Sequence, residues 1–128
     1  MNKVVLDASA ILAVLFDEPG AENLTDEILG NSVVSTVNQA EVQTRLMRMG
    51  RSAEDAWEDA RSLGIPAEVY TSEQAKTAGS LVAKTAKLGL SLGDRSCLAL
   101  AIELKVPVYT TDQIWKNLQV GVPIHVIR

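Results

Sequence analysis

Four carboxylates, Asp7, Glu41, Asp94 and Asp112, stand out by their surroundings. Asp7 lies between the apolar runs Lys3-Val4-Val5-Leu6 and Ala8 to Phe16. Glu41 sits in "NQAEVQ", Asp94 in "LSLGDRS" and Asp112 in "VYTTDQ". Each has an ordinary explanation. Asp7 could cap the helix that starts at Ala8. Glu41 could pair with Arg45 at i,i+4. Ser91 and Asp94 have the spacing of a capping box, and Asp112 could cap a short helix through Trp115. Brought to one place, however, these acids would repel and raise one another's pKa values. A fold gains nothing from that unless a cation sits among them. Oxygen ligands without His or Cys favour Mg2+ or Mn2+ over zinc. Such ions suit phosphodiester hydrolysis, because they polarise phosphoryl oxygens, activate water and stabilise the leaving oxygen.

The remaining chemistry-bearing residues are sparse. Cys97, the single cysteine, lies in the apolar run "CLALA", where a buried inert thiol is expected. His125, the single histidine, lies in "PIHVIR" and suits a structural or surface role. Zinc sites and Ser-His-Asp chemistry therefore lack raw material. The formal charge of −4 argues against a broadly basic nucleic-acid surface, but it is compatible with a nuclease whose acids hold metal. A chain of 128 residues, 47% apolar and 22% charged, suits one domain over 1–128 with a real core. No apolar run approaches the roughly 20 residues of a membrane span, and "MNKVVLDASA" lacks the apolar region of a signal peptide. The expected location is cytoplasmic, with no membrane partner.

The elements that must position the acids alternate. Strands are expected at Lys3–Leu6, Ser32–Ser35, Ala67–Tyr70, Pro107–Thr110 and Ile124–Ile127. Helices are expected at Ala8–Phe16, Ala21–Leu29, Thr36–Met49, Ser52–Leu63, Ser72–Leu88 and Asp94–Leu104, with Thr36 and Gln39 spaced as a capping box. Short apolar strands alternating with helices indicate an α/β fold, a three-layer α/β/α sandwich around a mostly parallel sheet of about five strands. Right-handed crossovers place the strand C-termini along one edge, where open sheets bind ligands. Asp7 and Asp112 follow strands at that edge. Glu41 and Asp94 fall in first turns of helices that can face it.

At these residues the chain resembles PIN-domain proteins, specifically the VapC-type toxin ribonucleases of bacterial toxin–antitoxin systems. "LDASAIL" resembles the family's opening motif, "NQAEVQ" its glutamate-bearing helix, "LSLGDRSCLALA" its second aspartate motif and "YTTD" its third, in the family's order and over nearly the whole chain. The resemblance implies metal-ligand roles for Asp7, Glu41, Asp94 and Asp112, with Asp7 and Asp94 as direct ligands. Glu41 and Asp112 then bind a second ion or orient water. Ser9 and Thr110 match small hydroxyl positions that would support the ligands, or are ordinary helix-start and strand-end hydrogen-bonders. The resemblance further implies Mg2+- or Mn2+-dependent cleavage of single-stranded RNA, a homodimer, and inhibition by a cognate antitoxin whose tail wraps the toxin.

Arg95 follows Asp94 where many relatives carry a small residue; it could contact substrate phosphate or pair with a surface acid. Arg45, Arg48, Arg51, Lys84 and Lys87 could form a positive rim for RNA, or simply solvated helix faces. Leu12, Leu15 and Phe16, with the apolar side of 21–29, could line a partner groove or belong to the core. A dehalogenase-like phosphatase needs a second carboxylate two residues after the first, and Ser9 occupies that place. A receiver domain needs a phosphoacceptor after its third strand, where Tyr70-Thr71-Ser72 offers none. A dinucleotide site needs a glycine-rich first turn, which "DASAIL" lacks. The alternative from another class is a catalytically silent PIN-like domain acting through protein contacts.

Overall fold

The computed structural model describes residues 2–128. The chain begins with β1 (Val4–Leu6) and α1 (Ala8–Leu15). After a 3-10 turn at Ala21–Asn23 come α2 (Asp26–Gly30), β2 (Ser32–Ser35), α3 (Thr36–Arg48), α4 (Ala53–Arg61) and β3 (Ala67–Glu68). The second half holds α5 (Ser72–Ser80), α6 (Val82–Thr85), α7 (Leu92–Leu104), β4 (Val108–Thr110), a 3-10 helix at Gln113–Asn117 and β5 (Ile124–Val126). The strands form one five-stranded sheet in the order β3-β2-β1-β4-β5, and every pairing is parallel. The expected α/β architecture is thus observed.

Adjacent residues of one strand point to opposite faces, and the two cores follow that alternation. Leu6 and Val34 pack with Ile11, Val42, Leu46, Ala56 and Ala60 under α1, α3 and α4. Val5, Val33 and Val108 pack with Cys97, Leu98, Leu100, Ala101 and Trp115 on the other face, against α7. Central β1 is buried on both faces, as its unbroken apolar run requires. Among the described residues no helix is long and apolar enough to cross a membrane.

Several boundaries differ from expectation, each for a local reason. The helix expected at Ala21–Leu29 is split, because Thr25 Oγ1 caps a new helix by accepting from Ile28 N–H. The cap of α3 is Ser35, whose Oγ accepts from Val37 N–H. Thr36 Oγ1 instead accepts from Tyr70 N–H, two residues past β3, which ends at Glu68 and not at Tyr70 as expected, so the Thr36–Gln39 capping box does not form. The long helix expected at Ser72–Leu88 stops at Ser80. Helical conformation resumes in α6 at Val82, and at the break the Ala78 carbonyl accepts from Arg95 Nη1 at 2.9 Å.

Candidate functional site

The three carboxylates of Asp7, Glu41 and Asp94 line one cleft of about 470 Å3 with Ala8, Ser9, Leu12, Val37, Ala40, Thr44, Arg45 and Arg48. The cleft opens where β1 passes into α1. Parallel pairing brings the ends of β1 and β4 side by side there, and Leu6 registers with Tyr109.

Asp7 occupies the N-cap position of α1, but its carboxylate caps nothing. Its backbone carbonyl takes the Ala10 and Ile11 amides. That frees the side chain, and Oδ2 accepts from Ser9 Oγ at 2.7 Å and from Thr110 Oγ1 at 3.0 Å. The same hydroxyls order the loop after β4. Ser9 Oγ accepts from Thr111 N–H and Thr110 Oγ1 accepts from Asp112 N–H. Ser9 and Thr110 are therefore more than local helix-start and strand-end bonders. Burial raises the Asp7 pKa from its ordinary 3.8 to about 6. The two hydroxyls oppose that rise, while the Asp94 and Glu41 charges add to it.

Glu41 lies in the second turn of α3, one turn deeper than expected. The anticipated pairing with Arg45 is absent: Oε1 accepts from Asn38 Nδ2 at 2.7 Å. The carboxylate rests against Gly93, where an added Cβ would collide with both of its oxygens. Partial burial raises its pKa; Asn38 opposes the rise and Asp94 adds to it.

Asp94 satisfies both readings of its position. Oδ2 accepts from Ser91 N–H while Ser91 Oγ accepts from Asp94 N–H, a complete capping box at the start of α7. The capped carboxylate still lines the cleft. Asp112 is placed differently. Its Oδ1 accepts from Ile114 N–H and caps the 3-10 helix, and the residue is absent from the cleft lining. The structure thus brings Asp7, Glu41 and Asp94 together and seats Asp112 behind Thr110.

Arg95 does not pair with a surface acid. It makes no ion pair among the described residues, and its guanidinium turns away from the cleft to the Ala78 carbonyl. Arg45 and Arg48 do line the cleft, whereas Arg51 pairs with Asp59 at 2.9 Å and covers the Phe16 ring. Leu12 and Phe16 border a small adjoining hollow with Glu18, Arg45 and Met49. Cys97 is fully buried, and burial with the three nearby acids holds its thiol well above the usual range. His125 is exposed and stacks on Tyr109.

Sequence reasoning missed Asn38 and Gly93, both of which touch Glu41. The available signal was an amide three residues before an acid on one helix face. A second was a glycine inside a helix start with no turn to explain it.

The donor set fits a hard divalent cation. It is all oxygen, and among the described residues no basic side chain pairs with Asp7, Glu41 or Asp94. The acids are not drawn into a finished coordination sphere: among the described residues no group of three or more His, Cys, Asp or Glu side chains is close enough to hold an ion.

Comparison with solved structures finds the same fold repeatedly. DNA-bound VapBC from Salmonella typhimurium superposes with a TM-score of 0.77 at 14% identity, covering 98% of each chain. FitAcB from Neisseria gonorrhoeae gives 0.68 at 16% identity, covering 95% of this chain and 96% of that one. VapBC-5 from Mycobacterium tuberculosis gives 0.63 at 20% identity, covering 100% and 99%. No curated protein sequence matches significantly. The PIN domain profile matches residues 4–120. With the cleft acids Asp7, Glu41 and Asp94 all inside that span, the chain belongs to the PIN domain family.

Proposed function

We propose that this protein is a metal-dependent endoribonuclease and the toxin of a toxin–antitoxin pair. The observation that carries the reading is the convergence of Asp7, Glu41 and Asp94, from three separate elements, on one cleft with no ion-paired base among the described residues. Clustered acids that burden the fold without compensation mark a functional site. Asp7, Glu41 and Asp94 would hold Mg2+ or Mn2+, with Asp112 steadying the loop behind Thr110. When bound, the ion lowers the pKa of water and offsets charge on the phosphoryl and leaving oxygens.

The chain's own residues supply the rest. Ser9 and Thr110 fix Asp7 Oδ2. Asn38 engages Glu41 Oε1 and fixes the direction of a carboxylate that would orient the attacking water and take its proton. Arg45 and Arg48, which line the cleft beyond Glu41, meet the flanking phosphates of an RNA strand. Water attacks phosphorus in line, with no covalent enzyme intermediate.

An antitoxin partner is supported by the folds this chain shares, one of which is described as a toxin–antitoxin complex from Klebsiella pneumoniae. The hollow bordered by Leu12, Phe16 and Met49 adjoins the cleft and offers apolar surface to such a partner. The assembly is a homodimer in this reading, which sedimentation of the purified protein measures directly.

The deciding experiment is cleavage of single-stranded RNA with Mg2+ or Mn2+, with chelator, and with Asp7→Asn. Cleavage that needs the ion and Asp7 is expected. Metal-independent cleavage, or full activity in Asp7→Asn, would overturn the mechanism. Absence of cleavage under every ionic condition would favour a silent binding domain.

A further inference from the structure

We propose that Asn38, together with the open side of Gly93, is a lock that fixes the Glu41 carboxylate in its cleft position before any ion arrives. The inference rests on the metal-site reading above and assigns to Asn38 the part of a positioning residue.

Three observations carry it. Asn38 is fully buried, and its Nδ2 has two hydrogens with two acceptors: Glu41 Oε1 at 2.7 Å and the Gly93 carbonyl at 3.0 Å. Rotating the amide by half a turn would set its oxygen against a carboxylate and a carbonyl, so the orientation is dictated by chemistry. The amide therefore ties α3 to the first turn of α7 through the acid itself.

The second observation is what Asn38 gives up. Its Oδ1 is buried without a hydrogen-bond partner among the described residues, an omission that costs the full desolvation of that oxygen. Filling the same space with an apolar side chain of similar size would avoid that loss. Packing alone does not select asparagine here.

Gly93 makes the same kind of concession. Glycine has more backbone freedom to lose on folding than alanine does. Any Cβ at this position would strike the Glu41 carboxylate. Two neighbouring positions thus carry locally unfavourable residues, and Glu41 is the group both accommodate. A free glutamate loses rotamer entropy when it is ordered. A carboxylate already held by Asn38 and Gly93 has met that cost during folding.

The test is Mn2+ affinity, read from the electron paramagnetic resonance of the free ion at one fixed pH. The proteins are wild type, Asn38→Leu, Glu41→Gln and the double variant, with thermal melts of each without metal. Loss of outer partners lowers metal affinity by about 10–100-fold. Asn38→Leu is expected to weaken Mn2+ binding within that range. The double variant is expected to bind no more weakly than Glu41→Gln alone, because both changes remove one function. Weakening by Glu41→Gln with wild-type affinity in Asn38→Leu would overturn the lock and leave the metal-site reading standing. Additive losses in the double variant would also overturn it. Unchanged affinity in Glu41→Gln would overturn the metal role of Glu41 and the lock with it. If Asn38→Leu does not fold, Gly93→Ala decides: reduced affinity supports the lock, and wild-type affinity overturns it.

Discussion

Thr110 Oγ1 donates to Asp7 Oδ2 at 3.0 Å, joining the ends of two adjacent parallel strands across 103 positions of sequence. The same oxygen accepts from Asp112 N–H. One hydroxyl thus links the first acid of the cleft to the loop carrying the fourth.

Thr110→Val keeps the shape of the side chain and removes both bonds. Loss of one buried pairing costs about 1–3 kcal/mol, so urea denaturation without metal should show a destabilisation of that size. The Asp7 carboxylate would also lose one of the two hydrogen bonds that hold its pKa down. Its pKa should move further up. RNA cleavage by the variant should therefore fall more at pH 6 than at pH 8, and an equal loss at both would contradict the link.

The raised pKa of Asp7 makes a prediction about stability. In the folded state it titrates at about 6, against an ordinary 3.8. The folded protein therefore binds that proton more tightly than the unfolded chain does. The contribution of Asp7 to metal-free stability should be fully present below about pH 4, be lost as pH rises through 6, and then level off, with a total change on the order of 3 kcal/mol. Glu41, shifted upward as well, acts in the same direction. Asp7→Asn should flatten the decline and melt higher than wild type at pH 7 without metal. Added Mg2+ should raise the melting temperature of wild type but not of this variant.

Much of this was legible before any coordinates, because periodicity and element length constrain a doubly covered parallel sheet tightly. The Val4–Leu6 run has no polar face, so a central strand is its natural place. The order of elements then put Asp7 at the ligand-binding edge. What stayed hidden depends on tertiary partners. No spacing rule reveals that Arg95 takes the Ala78 carbonyl beside the break between α5 and α6. Thr36 and Gln39 have the spacing of a capping box, yet Thr36 is drawn to Tyr70. Glu41 had a good helical partner in Arg45 and chose Asn38, because burial against Gly93 rewards a short fixed amide over a long solvated cation.

Asp94 and Asp112 both cap helices, and only the first lines the cleft. Asparagine retains a capping oxygen, so neither Asp94→Asn nor Asp112→Asn should lower stability by more than about 1 kcal/mol. Their activities should separate. Asp94→Asn should lower kcat by a hundredfold or more, on the order expected for losing a principal charge at the reacting centre. Asp112→Asn should cost several-fold less, since its carboxylate is engaged by Ile114 N–H. Equal losses in single-turnover cleavage would place Asp112 among the ion-holding groups.

Arg45 and Arg48 lie four and seven positions beyond Glu41 on α3, on the wall of the same cleft. Both are exposed, and neither forms an ion pair among the described residues. At the end of a helix such cations also favour the macrodipole, a stabilising effect of only a few tenths of a kcal/mol that leaves them free to bind. Each Arg→Gln change should weaken RNA binding by catalytically inactive Asp7→Asn protein. Each should also reduce the slope of log affinity against log salt by about 0.7, the single-strand increment for one phosphate contact. In active protein the same changes should raise KM and leave kcat near wild type. A fall in kcat with an unchanged salt slope would mean that these arginines shape the acid cluster instead of holding the strand.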